Sequence, residues 1–271
     1  MAVTVLGSGG PFSTPGRVSS GYVVWLDRRP RLLVDAGGGV FQRIGAARID
    51  LVGIDAVLLT HGHIDHTGGL APVVFAAAME GRTTALTVLG QAGRQDQPGI
   101  VEMTELLFGE RGAWRYLHTF DGFGIDARDL PSDPDTTDVD VALRTAEFTV
   151  RSVAVPHGMM PAVAFRIDAA GASVVFTGDV SGYHPPLIEL AAGADLLVHD
   201  MALPERPTEH GHLHAKPSEV GRTAADAGVT ELLLSHVMPE LEDERQDAET
   251  LVRNEFSGRV RWAHDLMTIQ L

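Results

Sequence analysis

Short apolar runs, each closed by a polar or ionisable residue, recur along this chain. Leu32-Leu33-Val34 leads into Asp35, Val57-Leu58-Leu59 into Thr60 and His61, and Val174-Val175-Phe176 into Thr177, Gly178 and Asp179. Leu196-Leu197-Val198 before His199 and Asp200, and Leu232-Leu233-Leu234 before Ser235 and His236, repeat the pattern in the second half. Runs this short and uniformly apolar predict buried strands, and their spread over both halves predicts two sheets whose following loops converge on one rim. Between them, Leu70 to Glu80 is apolar and alanine-rich with Gly81 after it, and Pro217 to Ala227 has proline at its start and Gly228 after its end. Both read as helices. Residues 91–139 are the least regular part, with a helix-like segment from Ile100 to Phe108 and an acidic, turn-rich loop from Leu130 to Asp135. This stretch reads as an insertion beside the site followed by a connection between halves. Its apolar members Ile100, Met103, Leu106, Leu107 and Phe108, with Trp114 and Tyr116, suit either a lid or core packing.

The densest chemistry lies in His61-Gly62-His63-Ile64-Asp65-His66, three imidazoles and a carboxylate directly after an apolar strand. Four donors so close in sequence do not reach one ion without strain, so the segment reads as serving two. Imidazole and carboxylate suit zinc, iron or manganese. The chain has no cysteine, which excludes disulfides, thiolate ligands and thiol nucleophiles and leaves only His, Asp and Glu as metal donors. Further candidates at strand ends are His157, Asp179 and His236. The 271 residues, 44% of them hydrophobic, suffice for one large domain over 1–271. No basic, apolar leader or membrane-length run is evident, so a cytoplasmic protein without membrane contact is expected. A homodimer is left open. The formal net charge of −15 opposes long polyanions and points away from nucleic acid, towards small or weakly charged substrates.

In that order, H-x-H-x-D-H, a lone His, an Asp and a final His, the sequence resembles the metallo-β-lactamase-fold superfamily, over nearly the whole chain. The resemblance implies an αββα sandwich of two mixed sheets flanked by helices. It assigns His61, His63 and His157 to one ion and Asp65, His66 and His236 to the other, with Asp179 bridging. Two such ions share a hydroxide and polarise the substrate oxygen, the two-metal route to ester cleavage. Asp35, in Asp35-Ala36-Gly37-Gly38-Gly39, matches an acid that orients the ligand loop. Leu6-Gly7-Ser8-Gly9-Gly10-Pro11, His199-Asp200-Met201 and Glu209-His210-Gly211-His212-Leu213-His214 look like the branch holding ribonuclease Z, cyclic-nucleotide phosphodiesterases and arylsulfatase-like enzymes.

In ribonuclease Z an acid pairs with a later histidine to protonate the leaving group. Here Asp200 takes the place of the acid and His214 that of the histidine, with His212 as the alternative register. His118, His184, His199 and His264 show no ligand spacing and read as structural or surface groups. Arg17 could face the site as an anion clamp or lie on the surface. The long Gly/Pro-rich arm of bacterial ribonuclease Z has no room between His157 and Asp179. With the acidic charge, this directs the expectation to a small phosphodiester or aryl sulfate. Lactone or thioester hydrolysis, an iron-dependent dioxygenase and a non-catalytic metal-binding protein are the alternatives.

Overall fold

A computed structural model describes residues 1–95, 97–122 and 124–271. One sheet contains β1 (Ala2–Gly7), β2 (Gly21–Leu26), β3 (Arg29–Ala36), β4 (Ala56–Leu59), β5 (Leu86–Gln91) and β6 (Ile125–Leu130). The other contains β7 (Asp140–Arg144), β8 (Phe148–Val155), β9 (Ala162–Ala169), β10 (Ala172–Phe176), β11 (Leu196–Asp200), β12 (Glu231–Ser235) and β13 (Arg259–Trp262). The last strand, β14 (Thr268–Gln270), returns to pair with β1, giving the orders β14-β1-β2-β3-β4-β5-β6 and β13-β12-β11-β10-β9-β8-β7. In each sheet one side is antiparallel and the other parallel. The expected pair of mixed sheets is present.

Successive strand residues face opposite sides of a sheet, which accounts for the uniformly apolar runs. From β3 and β4, Leu32, Val34 and Leu58 point between the sheets and meet Phe165, Ile167, Val174, Phe176 and Val198. Their neighbours Leu33, Val57 and Leu59 face outward onto helices α1 (Val40–Ala46), α3 (Leu70–Met79) and α4 (Ile100–Phe108); α2 (Ile64–Thr67) is one turn within the histidine cluster. The second sheet likewise turns Val175, Leu197, Leu232 and Leu234 towards α5 (Pro185–Ala191), α6 (Pro217–Ala227) and α8 (Arg245–Glu255), with α7 (Pro239–Glu242) preceding the last of these. Both faces are therefore covered, as sheets with parallel strands require.

The predicted helices over 100–108 and 217–227 are found with those bounds, and that over 70–80 ends at Met79. The insertion expected over 91–139 is corrected. Ile100 and Phe108 are core residues beneath the first sheet, and β6 pairs with β5 in parallel from Leu86↔Ile125 to Gln91↔Leu130. The segment is thus part of the sandwich, with Asp96 and Phe123 outside the described residues. The strand escaped notice because Ile125-Asp126-Ala127-Arg128-Asp129-Leu130 is a half-exposed edge and carries few apolar side chains. Among the described residues, no helix is long and apolar enough to cross a membrane.

Candidate metal centre

The carboxyl ends of β3, β4, β10, β11 and β12 meet at one rim, and two backbone ties hold the sheets together there. Val163 N–H donates to Thr60 O at 2.9 Å, and Val237 N–H donates to Ser8 O at 3.0 Å. The structure brings the predicted donors together in two groups, His61, His63, His157 and Asp179 in one and Asp65, His66 and His236 in the other. Asp179 also lies with His214 and His236, so it stands between the groups. All except His63 and its neighbours at the mouth are buried.

The local sequence fixes each ring. Asp35, left-handed at φ 55°, accepts from Thr60 N–H at 2.8 Å and from His66 Nδ1 at 2.8 Å. Thr60 Oγ1 sits 3.0 Å from Asp35 Oδ2 and 3.1 Å from His61 Nδ1, donating to the acid and accepting from the ring. His157 Nδ1 donates to Leu213 O at 3.0 Å. With Nδ1 engaged in each, the Nε2 lone pair of His61, His66 and His157 is left to face the centre, the tautomer a metal needs. Gly37 and Gly178 make the close approach possible. A Cβ on Gly37 would lie 2.0 Å from Asp65 O, and one on Gly178, at φ +60°, would lie 2.6 Å from Thr60 Cβ. His236 is itself left-handed at φ 60°, a strain of the kind functional sites retain.

These residues fit divalent ions. His63 Nδ1 lies 3.0 Å from His61 Nε2 and 3.2 Å from His157 Nε2, and one ring proton satisfies only one of those contacts. A tetrahedral ion with bonds of about 2.0–2.1 Å holds donor atoms about 3.3–3.4 Å apart, close to this spacing. His66 Nε2 and Asp179 Oδ1, 3.3 Å apart, are buried without a hydrogen-bond partner. Such orphaned atoms call for an explanation, and an ion supplies it. The charges agree. Burial holds the His61 imidazole well below its ordinary value and brings His157 down to about 4, the neutral ligand form. Burial alone would lower His66 too, but the carboxylates of Asp179 and Asp35 outweigh it and raise it. Asp179 is conversely depressed, since His236 and His66 overcome the burial that would raise it.

Beside this centre, His214 Nδ1 donates to Asp200 Oδ2 at 2.9 Å, and both are buried. His212, the alternative register, is exposed and makes no such contact with Asp200. His199, expected as a structural or surface group, is buried with Nδ1 2.9 Å from Asp200 Oδ1; sequence reasoning missed Thr60, the residue that ties Asp35 to His61. Position directly before the cluster was the available signal for Thr60. Arg17 does not clamp an anion. It bonds Ser8 Oγ at 2.8 Å, Ala263 O at 2.9 Å and Glu242 Oε1 at 3.0 Å. A cavity of about 280 Å³ opens over the donors, lined also by Phe12, Ile64, His210, Leu213, His214 and Met238. None of Ile100, Met103, Leu106, Leu107, Phe108, Trp114 or Tyr116 lines it, so the lid reading of that stretch is corrected as well.

Residues 30–237 match the domain model of the beta-lactamase superfamily, and the chain belongs to that superfamily; fold and site together define a metal-dependent hydrolase. Within it the branch is that of ribonuclease Z. The chain is 31% identical to "Ribonuclease Z" of Mycobacterium bovis over 286 aligned positions, covering 100% of this chain and 98% of that protein. The crystal structure of the metallo-beta-lactamase fold protein YhfI from Bacillus subtilis matches with a TM-score of 0.76 at 26% identity, over 99% of this chain and 98% of that one. Human tRNase Z, short form, shares the fold with a TM-score of 0.78 at 22% identity, over 100% of this chain and 99% of that one.

These relatives overturn two expectations, a small-ester substrate and the absence of a nucleic-acid partner. No missing arm of any great length separates this chain from the M. bovis protein. The 286 aligned positions against 271 residues leave 15 for insertions, so the M. bovis ribonuclease Z carries no large segment that this chain lacks. Nor does the net charge act over the range that a phosphate feels. The value of −15 is a sum over the whole surface, whereas screening confines a phosphate's response to groups within roughly 8 Å at physiological salt. Metal ions at the rim would dominate that neighbourhood.

Proposed function

We propose that this protein is a metal-dependent ribonuclease of the ribonuclease Z kind, cutting a phosphodiester bond in tRNA precursors as one domain over residues 1–271. The observation that carries the reading is the end-to-end match to proteins of that name, with no donor of the centre missing. His61, His63 and His157 would hold one ion, Asp65, His66 and His236 a second, and Asp179 both; zinc suits this all-nitrogen and carboxylate set best. When bound, the ions supply Lewis-acid polarisation of the phosphoryl oxygens and a nucleophile competent at neutral pH.

The remaining steps belong to the chain. Asp35 and Thr60 hold His66 and His61 in the tautomer that presents Nε2. The burial of the centre between the sheets excludes bulk water from all but the mouth. His214, raised above its ordinary value because the Asp200 bond and the Asp179 charge outweigh burial, carries a proton at Nε2 that it delivers to the departing oxygen. Asp200 keeps that ring oriented and its charge balanced. A cytoplasmic location goes with such a substrate. The test is incubation of zinc-loaded protein with a precursor tRNA bearing an extension beyond its mature end. A single, metal-dependent cut is expected, and failure to cut by protein carrying its full metal load would refute the reading.

A further inference from the structure

The cavity over the metal centre has an aromatic rim that the hydrolytic chemistry leaves unused. Phe12 is 46% exposed, and with Pro11 it lines the cavity beside Asp65 and His236. The loop that carries Phe12 is tightly held. Asp265 accepts from Ser8 N–H at 3.1 Å, from Ser8 Oγ at 2.8 Å and from Val18 N–H at 3.0 Å, pinning both feet of the segment. Arg43 adds its guanidinium to the same carboxylate at 2.9 Å, and Gly9 N–H donates to Val18 O. Inside the loop, Gly10 packs so closely on His236 that a Cβ there would lie 2.8 Å from the ring. The tip carrying Phe12 is thereby placed beside the donors with its side chain nearly half exposed.

Resting on the ribonuclease reading above, we infer that Phe12 is a stacking platform for the base of one nucleotide bordering the scissile phosphate. A cavity of about 280 Å³ lies just under the usual range for small-molecule sites, about 300–1,000 Å³, so it takes a single nucleotide unit and no duplex. Ile64, Leu213 and Met238 give that unit an apolar surround, while the acidic and imidazole donors beneath are committed to the phosphate end. A base has a π face whatever its identity, so an aromatic ring at this place favours an unpaired nucleotide over a paired one without reading sequence. Phe12 is therefore a specificity residue for single-stranded RNA at the cleavage point.

The experiment compares the parent, Phe12→Ala and Phe12→Tyr, each metal-loaded, on a precursor tRNA and on versions with an abasic nucleotide at each position flanking the cut. On the intact RNA, Phe12→Ala should lose roughly 5- to 150-fold in kcat/KM, the span set by stacking of one base, and Phe12→Tyr should retain most of it. On the RNA lacking the stacked base, parent and Phe12→Ala should cut alike. Equal rates on the intact RNA overturn the proposal, and so does a loss in Phe12→Ala of the same size on every abasic substrate, which would mark a structural role. A parent that cuts none of these RNAs refutes the ribonuclease reading itself, and this proposal with it.

Discussion

Replacing Asp35 with asparagine changes one atom and, by the geometry of the centre, reverses a proton. The amide oxygen stays with the fixed donor, Thr60 N–H, which now lies 2.8 Å from Oδ1. The amide NH₂ then occupies the place of Oδ2, 2.8 Å from His66 Nδ1. A donor facing that nitrogen drives the ring proton to Nε2, the atom orphaned at the centre and needed as a lone pair. Loss of such an outer partner costs about 10- to 100-fold in metal affinity, or about 1.4–2.7 kcal/mol at 1.36 kcal/mol per tenfold. The loss should fall on the ion held by Asp65, His66 and His236 and leave the other nearly untouched. Competition against a zinc chelator, with elemental analysis after dialysis, reads both ions. Thr60→Val, which keeps the N–H and removes the hydroxyl, should instead weaken the His61 side. Unchanged affinity in Asp35→Asn, or equal loss at both ions, would falsify the tautomer argument.

Asp179→Ala removes the carboxylate that lies 3.3 Å from His66 Nε2 and His236 Nε2 and 3.7 Å from His157 Nε2, so elemental analysis should find fewer than two ions per chain; full loading would show the residue misassigned. His214→Ala should slow cleavage of natural RNA by about 10²–10⁴-fold with metal content intact. The loss should largely vanish on RNA whose bridging leaving oxygen is replaced by sulfur, which departs without a proton, and His212→Ala, being exposed, should behave as the parent on both. Gly178→Ala adds a Cβ at φ +60° that would meet Thr60 at 2.6 Å, and should cost about 1–3 kcal/mol in urea unfolding; a change below 0.5 kcal/mol, roughly the scatter of a neutral surface substitution, would mean the turn gives way freely. Asp265→Ala strands the Ser8 and Val18 amides and the Arg43 guanidinium, with a like cost of about 1–3 kcal/mol that a thermal melt should register.

The parts of this molecule legible in its sequence are those whose causes are local. His61 to His66 stand within one strand-end turn, so their grouping survives any detail of tertiary packing. The same holds for α6, marked by Pro217 at its start and Gly228 at its end, and for the strands buried on both faces. The edge strands β6 and β7 were not legible, because nearly all their residues are at least partly exposed; β6 has no apolar run and β7 only Val141-Ala142-Leu143. Arg17 misled for a different reason. Its partners Ala263 and Glu242 lie more than 220 positions away, and nothing near residue 17 announces them. The choice between His212 and His214 likewise depended on how a turn-rich loop folds back onto Asp200. Charge misled most, since a sum over the chain carries no information about where the charges stand.

The two sheets repeat one another. Each begins with an antiparallel edge, β14 or β7, passes through three further strands joined antiparallel and closes with three added in parallel. β3 thus corresponds to β10, β4 to β11 and β5 to β12, so Asp35 and Asp179 sit near the ends of matching strands, as do His61 and Asp200. The molecule is a pair of pseudo-equivalent halves, and the donors lie on the seam between them. His61, His63, Asp65 and His66 come from one half, and His157, Asp179 and His236 from the other. Neither half owns a complete donor set, which makes metal uptake a gauge of how well the halves are docked. A change that loosens their seam, however far from His61, should show first as lost metal and only later as lost fold.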